Sequence, residues 1–243
     1  MHISVWGKNG SGKSTVASNL ACAFAKDGYK TALVGANRFF GSIQYCFDME
    51  VQPERSLRAA LAGAGGLSAQ DCLVECPSVK NLSVASLADS DDCAGYRKVR
   101  AEMAVRFIKL INANYQCVLI DCDESVEDPL SMYSLTLSSK ILYVTRPSFR
   151  SVAFAKAYEP IVTGLQIKEQ LHVVLIDDGA GGDAALYIPF GAAGGYCVLP
   201  YCKEIGHARG ASPPLMLTKS VNRASARYRN EMSRLAKTLA ANG

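Results

Sequence analysis

The chain has no Cys-x-x-Cys pair, although it holds nine cysteines, at positions 22, 46, 72, 76, 93, 117, 122, 197 and 202. The number is odd, and several lie in apolar runs that read as strands, such as Cys117 in QCVLID and Cys197 in GYCVLP. This pattern reads as small buried thiols in a reducing cytoplasm. The three histidines, His2, His172 and His207, are scattered and suggest neither a metal site nor a catalytic triad. No apolar run approaches the ~20 residues needed to span a membrane. The start, MHISVWG, runs straight into a glycine-rich loop and leaves no room for a signal peptide. Internal repeats, low-complexity segments and a convincing linker are also missing. The expected location is therefore the cytoplasm, with any membrane or pole association peripheral.

Charge is not extreme either. A net charge of +4 permits contact with nucleic acid or an anionic membrane without arguing for either. Apolar residues make up 49% and charged residues 20% of 243 positions, the balance of a globular chain long enough to bury a full core. One domain spanning 1–243 is the simplest organisation.

Strand and helix patterns alternate. Apolar runs at His2–Trp6, Lys30–Ala36, Asn81–Leu87, Tyr115–Asp121, Lys140–Thr145, Leu171–Ile176 and Tyr196–Pro200 read as strands. Helical spacing is found over Ser14–Asp27, closed by Gly28, and over Leu57–Ala62. It recurs over Tyr96–Asn112, with Val99, Met103, Phe107 and Leu110 in line. Ser151–Leu165 is a further helix, bent or shortened at Pro160. Arg223–Ala240 is the last, with Tyr228, Met232, Leu235 and Leu239 on its apolar side. Ala64–Gly66 and Asp178–Asp183 read as loops. Strands separated by helices predict an α/β fold with a mainly parallel twisted sheet flanked by helices on both faces.

Gly7-Lys8-Asn9-Gly10-Ser11-Gly12-Lys13-Ser14 satisfies GxxxxGK[ST], with a strand before it and a helix after it. Glycines let the backbone curl so that successive N–H groups point at phosphates, and the following helix adds its positive dipole end. Lys13 is expected to bridge the β- and γ-phosphates. The Ser14 hydroxyl is expected to ligate Mg²⁺, and Thr15 to contact the α-phosphate. Asp121 ends an apolar strand where it can hold Mg²⁺ through a water, opposite Ser14, or serve as a structural carboxylate. Asp123 shares that work or is a solvated loop residue.

Lys8, directly after the first glycine, resembles the early lysine of the deviant Walker A motif, KGGxGK[ST], of the MinD/ParA family. YQCVLIDCDES, ILYVTRPSFRSVAFAKAY and VLPYCKEIGHARGASPPLML are similar to later segments of that family, and the last is similar to the TadZ/CpaE branch serving pilus assembly and polar localisation. The resemblance implies ATP-dependent homodimerisation, with Lys8 reaching the partner's nucleotide. A solvated lysine at the loop's edge is the alternative. Asn9 departs from the family's usual glycine, and Asn tolerates left-handed backbone angles better than most residues.

The family's second strand normally ends in an aspartate pair. Here LVGANRFFGS puts Gly35 and Asn37 at those positions. Asn37 can hydrogen-bond a water but cannot accept a proton. Slow hydrolysis with a long-lived ATP-bound dimer is expected, unless Asp123 or another carboxylate restores the rate. Asp177, where family members usually place an adenine-reading Asn, accepts only and on its own leans toward guanine. ATP remains the expected nucleotide. Cys93-Ala94-Gly95 faintly resembles the cluster-binding cysteine of the nitrogenase iron protein. Asp128 stands near the place of the second cysteine and Cys122 comes too early, so no cluster is expected. Arg223, Arg227, Arg229, Arg234 and Lys237 on the last helix allow a solvated basic face, non-specific DNA binding, or contact with lipid or a protein. The implied role is a nucleotide-controlled dimer that positions a partner, with a pilus or secretion machine preferred. A DNA-partition ATPase and a non-hydrolysing scaffold are the alternatives.

Overall fold

The computed structural model describes residues 1–62, 70–92, 94, 99–177, 179, 187–190, 195–206, 213–220 and 222–241. Eight strands form one sheet: β1 (His2–Trp6), β2 (Thr31–Gly35), β3 (Val74–Glu75), β4 (Leu82–Ala85), β5 (Cys117–Asp121), β6 (Lys140–Thr145), β7 (Leu171–Ile176) and β8 (Tyr196–Leu199). Their order is β3-β4-β2-β5-β1-β6-β7-β8. Every neighbouring pair is parallel except β3 with β4. The inner strands read as unbroken apolar runs because both of their faces are covered.

Six α-helices of six residues or more cover the sheet among the described residues: α1 (Lys13–Lys26), α2 (Leu57–Ala62), α3 (Ala101–Asn114), α4 (Pro129–Leu137), α5 (Phe149–Gly164) and α6 (Arg223–Ala241). One core joins Ile3, Val5, Leu33, Cys117 and Leu119 to α1 and to Tyr228, Met232, Leu235 and Leu239 of α6. The opposite core joins Trp6, Val34, Val118, Ile120 and Tyr143 to α2, α3, α4 and α5. Side chains alternate across a strand, so Asp121 shares the face of Cys117 and Leu119, the face beneath α1.

The expected α/β fold is the one observed, and most elements fall within two residues of their expected bounds. Gly28 closes α1 as expected, at φ +92°, with Tyr29 N–H on the Phe24 carbonyl at 3.1 Å. Four differences have physical reasons. In α3 the buried stripe is Ala104, Phe107, Ile108 and Ile111; of the expected line Val99 and Phe107 are buried, while Leu110 is 37% exposed, so only the far end of that line turns away from the core. Residues 96–98 of that expected helix, and the loops expected at 64–66 and 180–183, lie outside the described residues, as does Asp178. Helix α5 continues unbroken through Pro160. Pro160 and Lys156 are both exposed, so the carbonyl that loses its donor faces water. Helix α4 went unexpected because it lacks a clean apolar stripe. Its start signal is Asp128-Pro129, where the Asp128 carboxylate accepts the Ser131 N–H at 2.7 Å. The two-residue β3 is too short to show any period.

The described cysteines are free thiols. Burial pushes Cys72, Cys117 and Cys122 up to about 12, which keeps them protonated and unreactive. Among the described residues no helix is long and apolar enough to cross a membrane. Likewise no group of three or more His, Cys, Asp or Glu is placed to hold a metal ion, and Cys93 and Gly95 lie outside the described residues.

Candidate functional site

The carboxyl ends of the central strands β1, β5 and β2 lie side by side at one end of the sheet, where Val5 and Gly35 both stand in register with Asp121. The chain leaves β1 through Gly7, at φ +147°. A Cβ there would fall 2.2 Å from the Val144 carbonyl oxygen, so the loop passes hard against β6 and only glycine fits. Gly10 (φ +78°) and Gly12 (φ +104°) supply the left-handed turns that bring the chain round into α1. Ser11 N–H donates to the Lys8 carbonyl at 3.1 Å and tightens the turn. Gly12 caps α1 and, as a glycine, brings no side chain to the first-turn N–H groups, an arrangement suited to an anion.

Asn9 is exposed and does not have positive φ, so its tolerance of left-handed angles is not what the loop uses. Its side chain has another task. The Lys13 ammonium donates to Asn9 Oδ1 at 3.2 Å and to the Lys8 carbonyl at 3.4 Å. Lys13 is only 8% exposed. Burial pulls its pKa down, and the nearby charges of Asp121, Asp123 and Glu124 oppose that shift.

Ser14 and Asp121 are brought together as their pairing required. The Ser14 hydroxyl donates to Asp121 Oδ2 at 2.6 Å. Burial raises the Asp121 carboxyl to about 6, against the pull of the Ser14 hydrogen bond and of Lys13. Its other oxygen, Oδ1, is buried with no hydrogen-bond partner. A buried carboxylate with one unsatisfied oxygen beside a hydroxyl is a hard-oxygen pair suited to Mg²⁺, so the residues fit that ion.

Asp123 is buried rather than solvated, at 9% exposure. One of its oxygens accepts the Ser125 N–H at 2.9 Å. A cavity of about 380 Å³ is lined by Asn9, Lys13, Ser14, Asn37, Asp121 and Asp123, with Phe39 and Phe40 at its rim. Asn37 thus faces the phosphate loop, but its Oδ1 accepts the Phe39 N–H at 2.9 Å. At the first position of the missing pair, a Cβ on Gly35 would lie 2.8 Å from Ile43 Cγ2, so packing leaves no room for a carboxylate.

Lys8 is half-buried, and its ammonium donates to the Asn9 carbonyl at 3.0 Å. Thr15 is half-buried in the first turn of α1, its carbonyl taking the Asn19 side chain at 2.8 Å. Asp177 is not among the cavity's lining residues. It opens a turn in which its Oδ1 accepts the Gly179 N–H at 2.9 Å. Its neighbour Ile176 approaches the loop, since a Cβ on Gly12 would meet Ile176 Cδ1 at 2.6 Å. Sequence reasoning missed two contacts to the loop. Glu124 Oε2 accepts the Asn9 N–H at 2.7 Å, and Arg146 Nε donates to the Ser11 carbonyl at 3.2 Å. Glu124 sits three residues after Asp121, but nothing in that spacing says that it folds back on the loop.

This is a P-loop α/β protein, with the glycine-rich loop, the following helix and the strand-end aspartate side by side. No protein-family model matches the chain. An uncharacterized ATP-binding protein of Methanocaldococcus jannaschii is 25% identical over 149 residues, 61% of this chain and 53% of that protein. Matches of similar extent are to septum site-determining MinD proteins, and the chain spans about half the length of the curated relatives it matches. Among solved structures, MinD of Pyrococcus horikoshii complexed with Mg-ADP superposes with a TM-score of 0.71 at 19% identity, covering 100% of this chain and 98% of that one. A ParA family ATPase of Chlorobium tepidum gives 0.76 at 16% identity, covering 98% of both. At such identities the structural likeness speaks for the fold. Taken with the sequence relatives, it gives this chain a fold shared with MinD and ParA proteins and a sequence similarity to MinD over about 60% of its length.

Proposed function

We propose that the chain binds ATP with Mg²⁺ at this loop, dimerises when the nucleotide is bound, and thereby positions a partner assembly. The observation that carries the reading is the Ser14–Asp121 pair at 2.6 Å with its unsatisfied buried oxygen, set beside the Lys13 ammonium. Lys13 and the loop N–H groups hold the phosphates, Ser14 and Asp121 hold the metal, and Thr15 supports the α-phosphate side. Mg²⁺ bound there supplies neutralisation of phosphate charge. Lys8, at the outer edge of the loop, acts on the nucleotide of a second copy.

Hydrolysis is slow in this reading. The position of Asn37 offers no proton acceptor, and Gly35 has no room for one. The partner is a protein of a pilus, secretion or other positioning system. The sequence of the closing segment favours the pilus branch, although residues 207–212 of it lie outside the described residues. Size exclusion with ATP, ADP and no nucleotide, repeated with Lys8→Ala, tests the mechanism. A dimer that forms with ATP and is lost in the variant is expected. A monomer under all conditions overturns it.

The DNA-partition alternative draws on the basic last helix. There Arg229 donates to the Thr218 carbonyl and Arg234 pairs with Glu231 at 2.5 Å, so two of the five basic side chains serve the fold. Arg223, Arg227 and Lys237 remain on the exposed side. ATP-dependent, salt-sensitive binding to arbitrary DNA would favour that alternative.

A further inference from the structure

Glu124 places a carboxylate on the phosphate loop itself. Its Oε2 accepts the Asn9 N–H at 2.7 Å. The placement is built into the fold, because the Trp6 indole N–H donates to the Glu124 carbonyl at 3.2 Å. Trp6 is in turn buried and packed edge-on against Tyr143 and Tyr158, with ring centroids 5.5 and 5.4 Å away.

The Asn9 N–H lies at the far end of the cradle. In a phosphate loop the lysine reaches the β/γ end of the nucleotide. Here the Lys13 ammonium rests 3.2 Å from Asn9 Oδ1, which puts Asn9 at that same end. A terminal phosphate and the Glu124 carboxylate are both anionic acceptors for one donor, and they repel each other. A diphosphate stops short of the contested N–H.

We propose that Glu124 is a specificity-determining residue of the phosphate loop, a carboxylate latch on Asn9 that a triphosphate must displace and a diphosphate need not. The latch rests on the nucleotide-binding reading above and adds to it a bias toward the diphosphate form. It also gives the departure at Asn9 a purpose. The Asn9 side chain parks Lys13 while its backbone is held by Glu124, so one residue keeps the loop closed from both sides.

The test measures affinity for a non-hydrolysable ATP analogue and for ADP, both with Mg²⁺, in wild type, Glu124→Gln, Glu124→Ala and Lys13→Ala. Glu124→Gln keeps an acceptor for the Asn9 N–H and removes only the charge. The analogue is expected to bind about tenfold tighter to Glu124→Gln than to wild type, with a smaller gain at high salt. ADP affinity should stay within about twofold, since the diphosphate does not reach the repelling charge. Glu124→Ala should show the same sign. If wild type binds and Lys13→Ala does not, but the Glu124 variants leave the analogue-to-ADP ratio unchanged or weaken the analogue, the latch is wrong and nucleotide binding stands. If neither wild type nor the Glu124 variants bind any nucleotide, both readings fall.

Discussion

The two sides of the cavity are built to different standards. On the loop side, Gly7, Gly12, Lys13, Ser14 and Asp121 are each held by a close backbone approach or a hydrogen bond of 3.4 Å or less. On the side after β2, Gly35 has lost room for a side chain to Ile43, Asn37 has its oxygen in a turn, and Phe39 and Phe40 stand 50% and 60% exposed. The first side is made to grip, while the second is made to fold and offers little chemistry. On the proposed function, mutation should separate binding from turnover in this chain, because different segments would carry them.

Removing the grip should have the largest effect. Lys13→Ala takes a nearly buried cation out of the cradle, and nucleotide affinity is expected to drop about a thousandfold in a fluorescent-nucleotide titration. A loss under tenfold would mean that the backbone alone does the gripping.

Asp121 comes next, and its effect depends on pH. The folded carboxyl is raised from 3.8 to about 6, so the folded state holds the proton more tightly than the unfolded chain. Without metal, stability is highest from this group below about pH 4 and declines as pH rises to about 6. The penalty is fully present above that, about 3 kcal/mol on linkage. Asp121→Asn removes this slope. Thermal unfolding of both proteins between pH 4.5 and 7 checks it, and Mg²⁺ with nucleotide should stabilise only the wild type above pH 6. Parallel pH profiles would show that Asp121 is not the desolvated group.

On the other side, Gly35→Ala drives a methyl group into Ile43 and should destabilise the fold by about 2 kcal/mol, read as a shift in the denaturation midpoint. Asn37→Asp should cost little stability and raise ATP turnover about a hundredfold, the low end of what a positioned base contributes. If Asn37→Asp leaves turnover unchanged while Gly35→Ala behaves as expected, this side has no catalytic part to restore.

These contrasts also explain what could be read before the structure. The loop motif was legible because close backbone approach and positive φ demand glycine at fixed spacing. The strands were legible because two covered faces demand unbroken apolar runs. The reach of Glu124 back to Asn9 was not, since it depends on a turn after β5 held by Trp6 from β1, a contact across 118 residues of chain. The burial of Asp123 was hidden for the same reason, as its N–H is held by Ser131 from a helix with no apolar stripe. The loss of room at Gly35 comes from Ile43, in a short turn that periodicity does not reveal.

The register of β1 against β5 has an evolutionary consequence. Asp121 faces Ser14 because it shares the parity of Cys117 and Leu119, and Val5 stands opposite it. Inserting or deleting one residue within β5 would turn Ile120 or Cys122 toward the phosphate loop and Asp121 toward the opposite core. Loops at the rim can lengthen, shorten and diverge among descendants, whereas these two strands can change residue but not count. The sheet thus acts as a length standard, and lineages that keep the site are expected to hold these two strands and the phosphate loop at constant length while the rim loops vary.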